Sequence, residues 1–191
     1  MLELERAEKL RSEANLVLDL VRLHEIIDPY GKVFPCGSYF LDVMVYPDID
    51  LYITQVRLSE LFRIGAELAS SKLVFQVIFE KSDDPLTLPN GLYLKPRINY
   101  GDWGRPWKID IWSLNEEVIV ERMAEMYRFK KVMTPQLREQ IIRYKFSLLT
   151  NQSRTPKYSG YYIYKAFIDE GLVEFDDVTQ YLVRSGIQVD V

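Results

Sequence analysis

Gly37-Ser38-Tyr39-Phe40-Leu41-Asp42-Val43-Met44-Val45-Tyr46-Pro47-Asp48-Ile49-Asp50-Leu51 is the stretch on which the fold turns. Asp48 to Thr54 alternates polar and apolar residues, the period of a strand with one face buried. Residues two apart on a strand share a face, so Asp48 and Asp50 stand together while Ile49, Leu51 and Ile53 point into a core. Two adjacent carboxylates repel unless a cation neutralises them. Carboxylate oxygens select a hard ion such as Mg²⁺, with water and substrate phosphate filling its other positions. The segment Lys108-Ile109-Asp110-Ile111-Trp112 repeats the alternation. If it pairs beside the first strand, Asp110 adds a third carboxylate to the same face. Three carboxylates can hold two Mg²⁺ ions about 4 Å apart, an arrangement suited to in-line displacement at phosphorus. Gly37 allows close backbone approach and an unusual dihedral angle. A helix opening after Gly37-Ser38 offers N–H groups to an anion, and Ser38 adds a hydroxyl.

Working outward, residues 3–28 read as one long amphipathic helix ended by Pro29 and Gly31. A short strand at 33–35 leads into the Gly-Ser turn, and 39–45 reads as a short helix. A helix is expected at 58–70 and strands at 73–81, 91–100 and 107–114. Pro96 places the strand at 91–100 near a sheet edge, because proline cannot donate to a ladder. Asp83-Asp84-Pro85 and Pro89-Asn90-Gly91 read as turns. Beyond Leu114 the chain reads as helical, with Asn115 and Thr134-Pro135 as helix starts, Gly171 and Gly186 as stops, and a polar loop at 151–159. The layout is an α/β unit at 1–114 and a helical unit at 115–191.

Composition narrows the chemistry. Of 191 residues 48% are hydrophobic, enough for a core, and 28 acids against 24 Lys and Arg give a net charge of −4. That balance argues against coating long duplex nucleic acid. A single cysteine, Cys36, and a single histidine, His24, exclude a disulfide framework and histidine-cluster zinc sites, and disfavour a Ser-His-Asp or Cys-His engine. The N-terminus lacks the apolar core of a signal peptide and no run is long enough for a membrane span, so a cytoplasmic protein is expected.

Hydrophobic-Gly-Ser, nine residues, Asp-hydrophobic-Asp-hydrophobic, then a third acid between hydrophobic residues on a later strand resembles the nucleotidyltransferase superfamily of the DNA polymerase beta type. The order of elements over about residues 3–114 matches as well. Cys36 stands at a loosely hydrophobic position of the motif. The resemblance implies an α+β fold, a mixed sheet with flanking helices, followed by a C-terminal helical subdomain. It implies transfer of a nucleoside monophosphate from an NTP such as ATP to an acceptor, with pyrophosphate released. Asp48, Asp50 and Asp110 would be the catalytic metal ligands, for two Mg²⁺ ions with Mn²⁺ as the alternative. Gly37 and Ser38 would hold the β- and γ-phosphates. The acceptor is open among small molecules, proteins and RNA, and the tail matches no named subfamily.

From Arg128 to Ile168 nine Lys or Arg face one acid, Glu139. Half the weight goes to a solvated face and half to an electropositive wall that binds the triphosphate, with Arg143, Lys145 and Lys165 as its candidates. The tyrosines at 158, 161, 162 and 164 are expected to pack the helices. Lys95 and Arg97 share a strand face with Tyr93, either lining the cleft or protecting an edge. Two other readings stand beside the enzyme: a binding or antitoxin-like regulatory module on the same fold, with a protein partner, and a structural α+β domain whose acids are coincidental.

Overall fold

The computed structural model describes residues 3–81, 91–150 and 154–189. Five strands form one mixed sheet: β1 (Val33–Cys36), β2 (Asp48–Thr54), β3 (Val74–Lys81), β4 (Leu92–Ile98) and β5 (Trp107–Leu114), in the order β1-β2-β5-β4-β3. β2 and β5 run parallel and the other neighbours antiparallel. The helices are α1 (Glu3–Leu20), α2 (Leu23–Ile27), α3 (Gly37–Leu41), α4 (Leu58–Ala69), α5 (Glu116–Val132), α6 (Pro135–Ser147), α7 (Ser159–Ile168) and α8 (Phe175–Arg184).

Each face of the sheet feeds its own core. Ile49, Leu51 and Ile53 of β2 and Ile109 and Ile111 of β5 pack with α1, α2 and α4. Each such side chain contributes roughly 1.5–3 kcal/mol of hydrophobic burial. A second core joins α5 to α8 to the Gly-Ser turn region through Cys36, Leu41, Val43 and Val45, and to α1 through Ala7. Tyr52 and Trp112, on the face opposite the isoleucines, pack against it. The helical half therefore covers the part of the sheet face on which Asp48, Asp50 and Asp110 lie. Asn115 and Thr134 cap α5 and α6 as expected, accepting from the amides of Glu117 and Leu137, with Pro135 in the first turn.

Three expectations need correction. The first helix breaks at Arg22, which adopts a left-handed conformation at φ 55°. Straight continuation from Val17 and Val21 would aim His24 and Asp28 inward, whereas the break buries Leu23, Ile26 and Ile27. The helix expected at 39–45 is α3 instead, closed at Asp42 (φ 62°). Val43, Met44 and Val45 are consecutively buried, which a helix with one apolar face cannot achieve. The strand with Pro96 is internal, and β3 takes the edge. The sheet tolerates proline there because the β4–β5 ladder omits Lys95 and Pro96 from its pairs. Asp83-Asp84-Pro85, Pro89-Asn90 and residues 151–153 of the polar loop lie outside the described residues.

Candidate active site

β2 and β5 set the centre of the site. Their parallel register places Asp48 opposite Lys108 and Asp50 opposite Asp110. Ligand oxygens of Asp48, Asp50 and Asp110 lie within 4.8 Å of one another. Asp48 and Asp110 are buried and Asp50 is partly exposed. Burial, reinforced by the charge of Asp110 and opposed by Lys108, pushes the Asp48 carboxyl up to about 6. Burial, then the charges of Asp48 and Asp110, raises Asp50 well above the carboxylate range. Three acids crowded in this way hold their negative charge only against a cation.

Lys108 supplies one positive charge. Its ammonium lies 3.0 Å from Asp48 Oδ1 and donates to Asp110 Oδ2 at 2.5 Å. Burial opposes that charge, yet Asp48, Asp110 and Asp50 together raise its pKa. Tyr93 donates its hydroxyl to Asp110 Oδ1 at 2.6 Å and stacks on Trp112. Asp110 is thus held from both oxygens. Asp48 Oδ1 is buried, with the Lys108 ammonium 3.0 Å away as its partner. Three carboxylates whose oxygens lie this close suit an oxygen-ligated divalent cation.

The Gly-Ser turn closes over this group. Cys36 is the register partner of Asp50, and the chain turns at Gly37 with φ 59°. A Cβ at Gly37 would come within 2.4 Å of Asp50 Oδ2, so only glycine permits this approach. Beside it, Lys145 reaches in from α6. Its ammonium is 2.7 Å from Ser38 Oγ, 2.6 Å from the Val43 carbonyl and 3.4 Å from the Tyr164 hydroxyl. Ser38 Oγ and Tyr164 OH are 3.0 Å apart. Lys145 is fully buried, and burial lowers its pKa to about 7 against the pull of Asp50 and Asp48. Burial pushes the Tyr164 phenol up. Cys36 is a buried thiol, its pKa raised chiefly by burial.

Gly37, Ser38, Asp48, Asp50, Asp110 and Lys145 are therefore brought together. Arg143 and Lys165 are not. Arg143 is exposed and pairs with Glu139 at 2.7 Å, about half a helical turn from Lys145. Lys165 lies over the Tyr161 ring and near Asp169. Arg128 and Arg138 are engaged by Asp169 and Asp42. Sequence reasoning passed over Lys108, Tyr93 and Tyr164. Strand alternation from Asp110 was enough to find Lys108, and Tyr93 was placed on a face but given no partner.

The fold has counterparts among solved structures. A Cid1 poly(U) polymerase structure with bound MgGTP aligns with 80% of this chain at a TM-score of 0.54 and 17% identity, covering 48% of that chain. A Cid1 structure described by its RNA terminal uridylyl transferase activity aligns with 73% at a TM-score of 0.51 and 15% identity, covering 41%. The chain spans less than half the length of these proteins. No protein-family model and no curated protein matches it. The likeness shows that the chain has the nucleotidyltransferase fold of the DNA polymerase beta type. No helix among the described residues is long and apolar enough to cross a membrane.

Proposed function

We propose that the chain is a metal-dependent nucleotidyltransferase that moves a nucleoside monophosphate from an NTP to an acceptor hydroxyl. The observation that carries this reading is the cluster of Asp48, Asp50 and Asp110 directly beneath the glycine turn at Gly37. In the reaction the acceptor oxygen bonds to the α-phosphorus, the bond to the β-phosphate oxygen breaks, and pyrophosphate leaves. Asp48, Asp50 and Asp110 would hold two Mg²⁺ ions, which when bound supply charge neutralisation at the attacking and leaving oxygens. Asp110 would take the acceptor proton, positioned by Tyr93. The Gly37-Ser38 turn and Lys145 form the phosphate side, where a buried ammonium bonded to neutral oxygens gains a strong partner when an anion arrives. Such chemistry is positioning and electrostatics, so a chain with one histidine can perform it.

In this reading residues 1–114 are the catalytic unit and 115–191 a helical cover sharing its core with Ala7, Cys36, Leu41 and Val43. RNA is the acceptor class that the named activities of the Cid1 structures favour, and small molecules and proteins are the alternatives. A non-catalytic module on the same fold is the rival. It predicts nucleotide-independent partner binding and no role for the acids.

Thermal unfolding of wild type and Asp50→Asn, with each NTP and with or without Mg²⁺, tests the reading. Ligand at about a hundredfold over its dissociation constant should stabilise wild type by roughly 2.7 kcal/mol. The shift is expected to require both NTP and Mg²⁺ and to vanish in Asp50→Asn, while the metal-free variant unfolds at a higher temperature because a repulsion is gone. A stabilised Asp50→Asn that still responds to Mg²⁺ and NTP would falsify the reading.

A further inference from the structure

Lys108 stands where the reaction needs a metal. Its Cα is the register partner of Asp48, and its side chain, 24% exposed, extends along the face shared by the three carboxylates. The ammonium touches one oxygen of Asp48 and one of Asp110. A divalent cation held by Asp48 and Asp110 would compete with this ammonium for the same oxygens. The two cations therefore exclude each other, by contact and by repulsion.

We propose that Lys108 is an exchangeable internal counter-ion, holding the carboxylates together in the metal-free protein and leaving them when a divalent cation enters. The inference rests on the reading of the acids as metal ligands. Two features distinguish an exchangeable ion from a permanent replacement for metal. One ammonium is in direct contact with a cluster of three carboxylates, fewer charges than the two divalent ions proposed for it. The lysine stem is a flexible four-carbon chain, unlike a planar guanidinium locked to two oxygens.

The register partner of Lys108 on its other side is Arg97, with Lys95 on the same strand face. A freed ammonium would add a positive charge on the face that carries Arg97 and Lys95, which an anion there would offset. The triphosphate of an incoming NTP is such an anion. Metal and nucleotide then favour each other's binding: the metal releases Lys108, and the nucleotide receives its charge. By linkage the effect is equal in both directions.

The test uses the full chain, wild type and Lys108→Met, which keeps an unbranched stem and removes the charge. Mn²⁺ is titrated and its free concentration read by electron paramagnetic resonance, alone and with the α,β-methylene analogue of each NTP in turn. Wild type is expected to bind Mn²⁺ weakly alone and more tightly with nucleotide. Lys108→Met is expected to bind Mn²⁺ alone on the order of tenfold more tightly than wild type, with the nucleotide effect reduced to match. Lys108→Gln, which retains a donor to Asp110, serves if the methionine variant does not fold, with the same direction expected. Equal or weaker binding of Mn²⁺ alone by the folded variant overturns the proposal. If wild type binds Mn²⁺ with nucleotide and the variant's affinity is unchanged, only the counter-ion role falls. If neither protein binds Mn²⁺ under any condition, the nucleotidyltransferase reading and this proposal fall together.

Discussion

Lys108 and Lys145 both act on Asp48 and Asp50, one from β5 and one from α6, and burial acts on both. Their outcomes are opposite. Lys108 lies between carboxylates, whose attraction exceeds the desolvation cost and raises its pKa. Lys145 is bonded to Ser38 Oγ, the Val43 carbonyl and the Tyr164 hydroxyl, and its pKa falls to about 7. Neutral oxygens solvate an ammonium but do not cancel its charge. The pair divides the work of the site. In the proposed reaction Lys108 would satisfy acids already present, whereas Lys145 would be the lysine left to receive phosphate.

The largest expected effect therefore comes from Lys145. Lys145→Ala removes the stem and leaves Ser38, Val43 and Tyr164 facing a cavity, at a cost of roughly 2–4 kcal/mol in urea unfolding. Lys145→Met should recover part of that stability, yet weaken binding of NTP with Mg²⁺ by about 10- to 100-fold, the worth of a hydrogen bond to a charged group. The same lysine gives a pH signature. Its folded pKa of about 7 lies below the ordinary 10.5, so between those values the unfolded chain binds more protons. Stability of the metal-free protein should rise with pH from about 7 toward 10.5, the penalty being complete below that window. Urea midpoints of wild type minus those of Lys145→Met across the window should show this slope. A flat difference would mean that the ammonium is solvated after all, and the contrast with Lys108 would disappear.

A smaller effect is expected at the junction between the two lysines. Gly37→Ala forces an L-residue to hold φ 59° at roughly 1–2 kcal/mol and presses a methyl group onto Asp50 Oδ2. Urea unfolding should report that loss. The thermal shift with NTP and Mg²⁺ should disappear at the same time, because relieving the clash displaces Asp50. Retained binding with lost stability would confine Gly37 to a turn and detach the phosphate side from the carboxylates.

The carboxylate half of the site was legible because strands expose their pattern locally. Asp48 and Asp50 are two apart, Asp110 lies between isoleucines, and both strands begin and end where the alternation does. Strand order was not local, and Pro96 misled because its missing donor falls at an interruption of an internal ladder. Lys108 sat in the quoted segment, but a lysine on a half-exposed strand looks ordinary until its register partner is known to be Asp48. The break at Arg22 was hidden for a related reason. Helical spacing fits residues on either side, and only the position of the core shows that the second run faces another way. In the helical half the basic run gave charge without direction, and α6 separates its members by which face is buried.

Arg143 provides the smallest effect and the sharpest control on that separation. It lies two residues from Lys145, carries the same charge and came from the same basic run. Its side chain is 54% exposed and pairs with Glu139 one helical turn earlier, a favourable but solvent-screened arrangement. Removal of such a pair changes stability by about 0.5 kcal/mol or less. Arg143→Ala should therefore unfold within that margin of wild type in urea and bind NTP with Mg²⁺ at unchanged affinity, beside the large loss at Lys145→Met. A tenfold loss of nucleotide affinity at Arg143 would instead mean that the whole basic run serves the site. Burial would then no longer distinguish the lysine that meets phosphate from the cations that meet water.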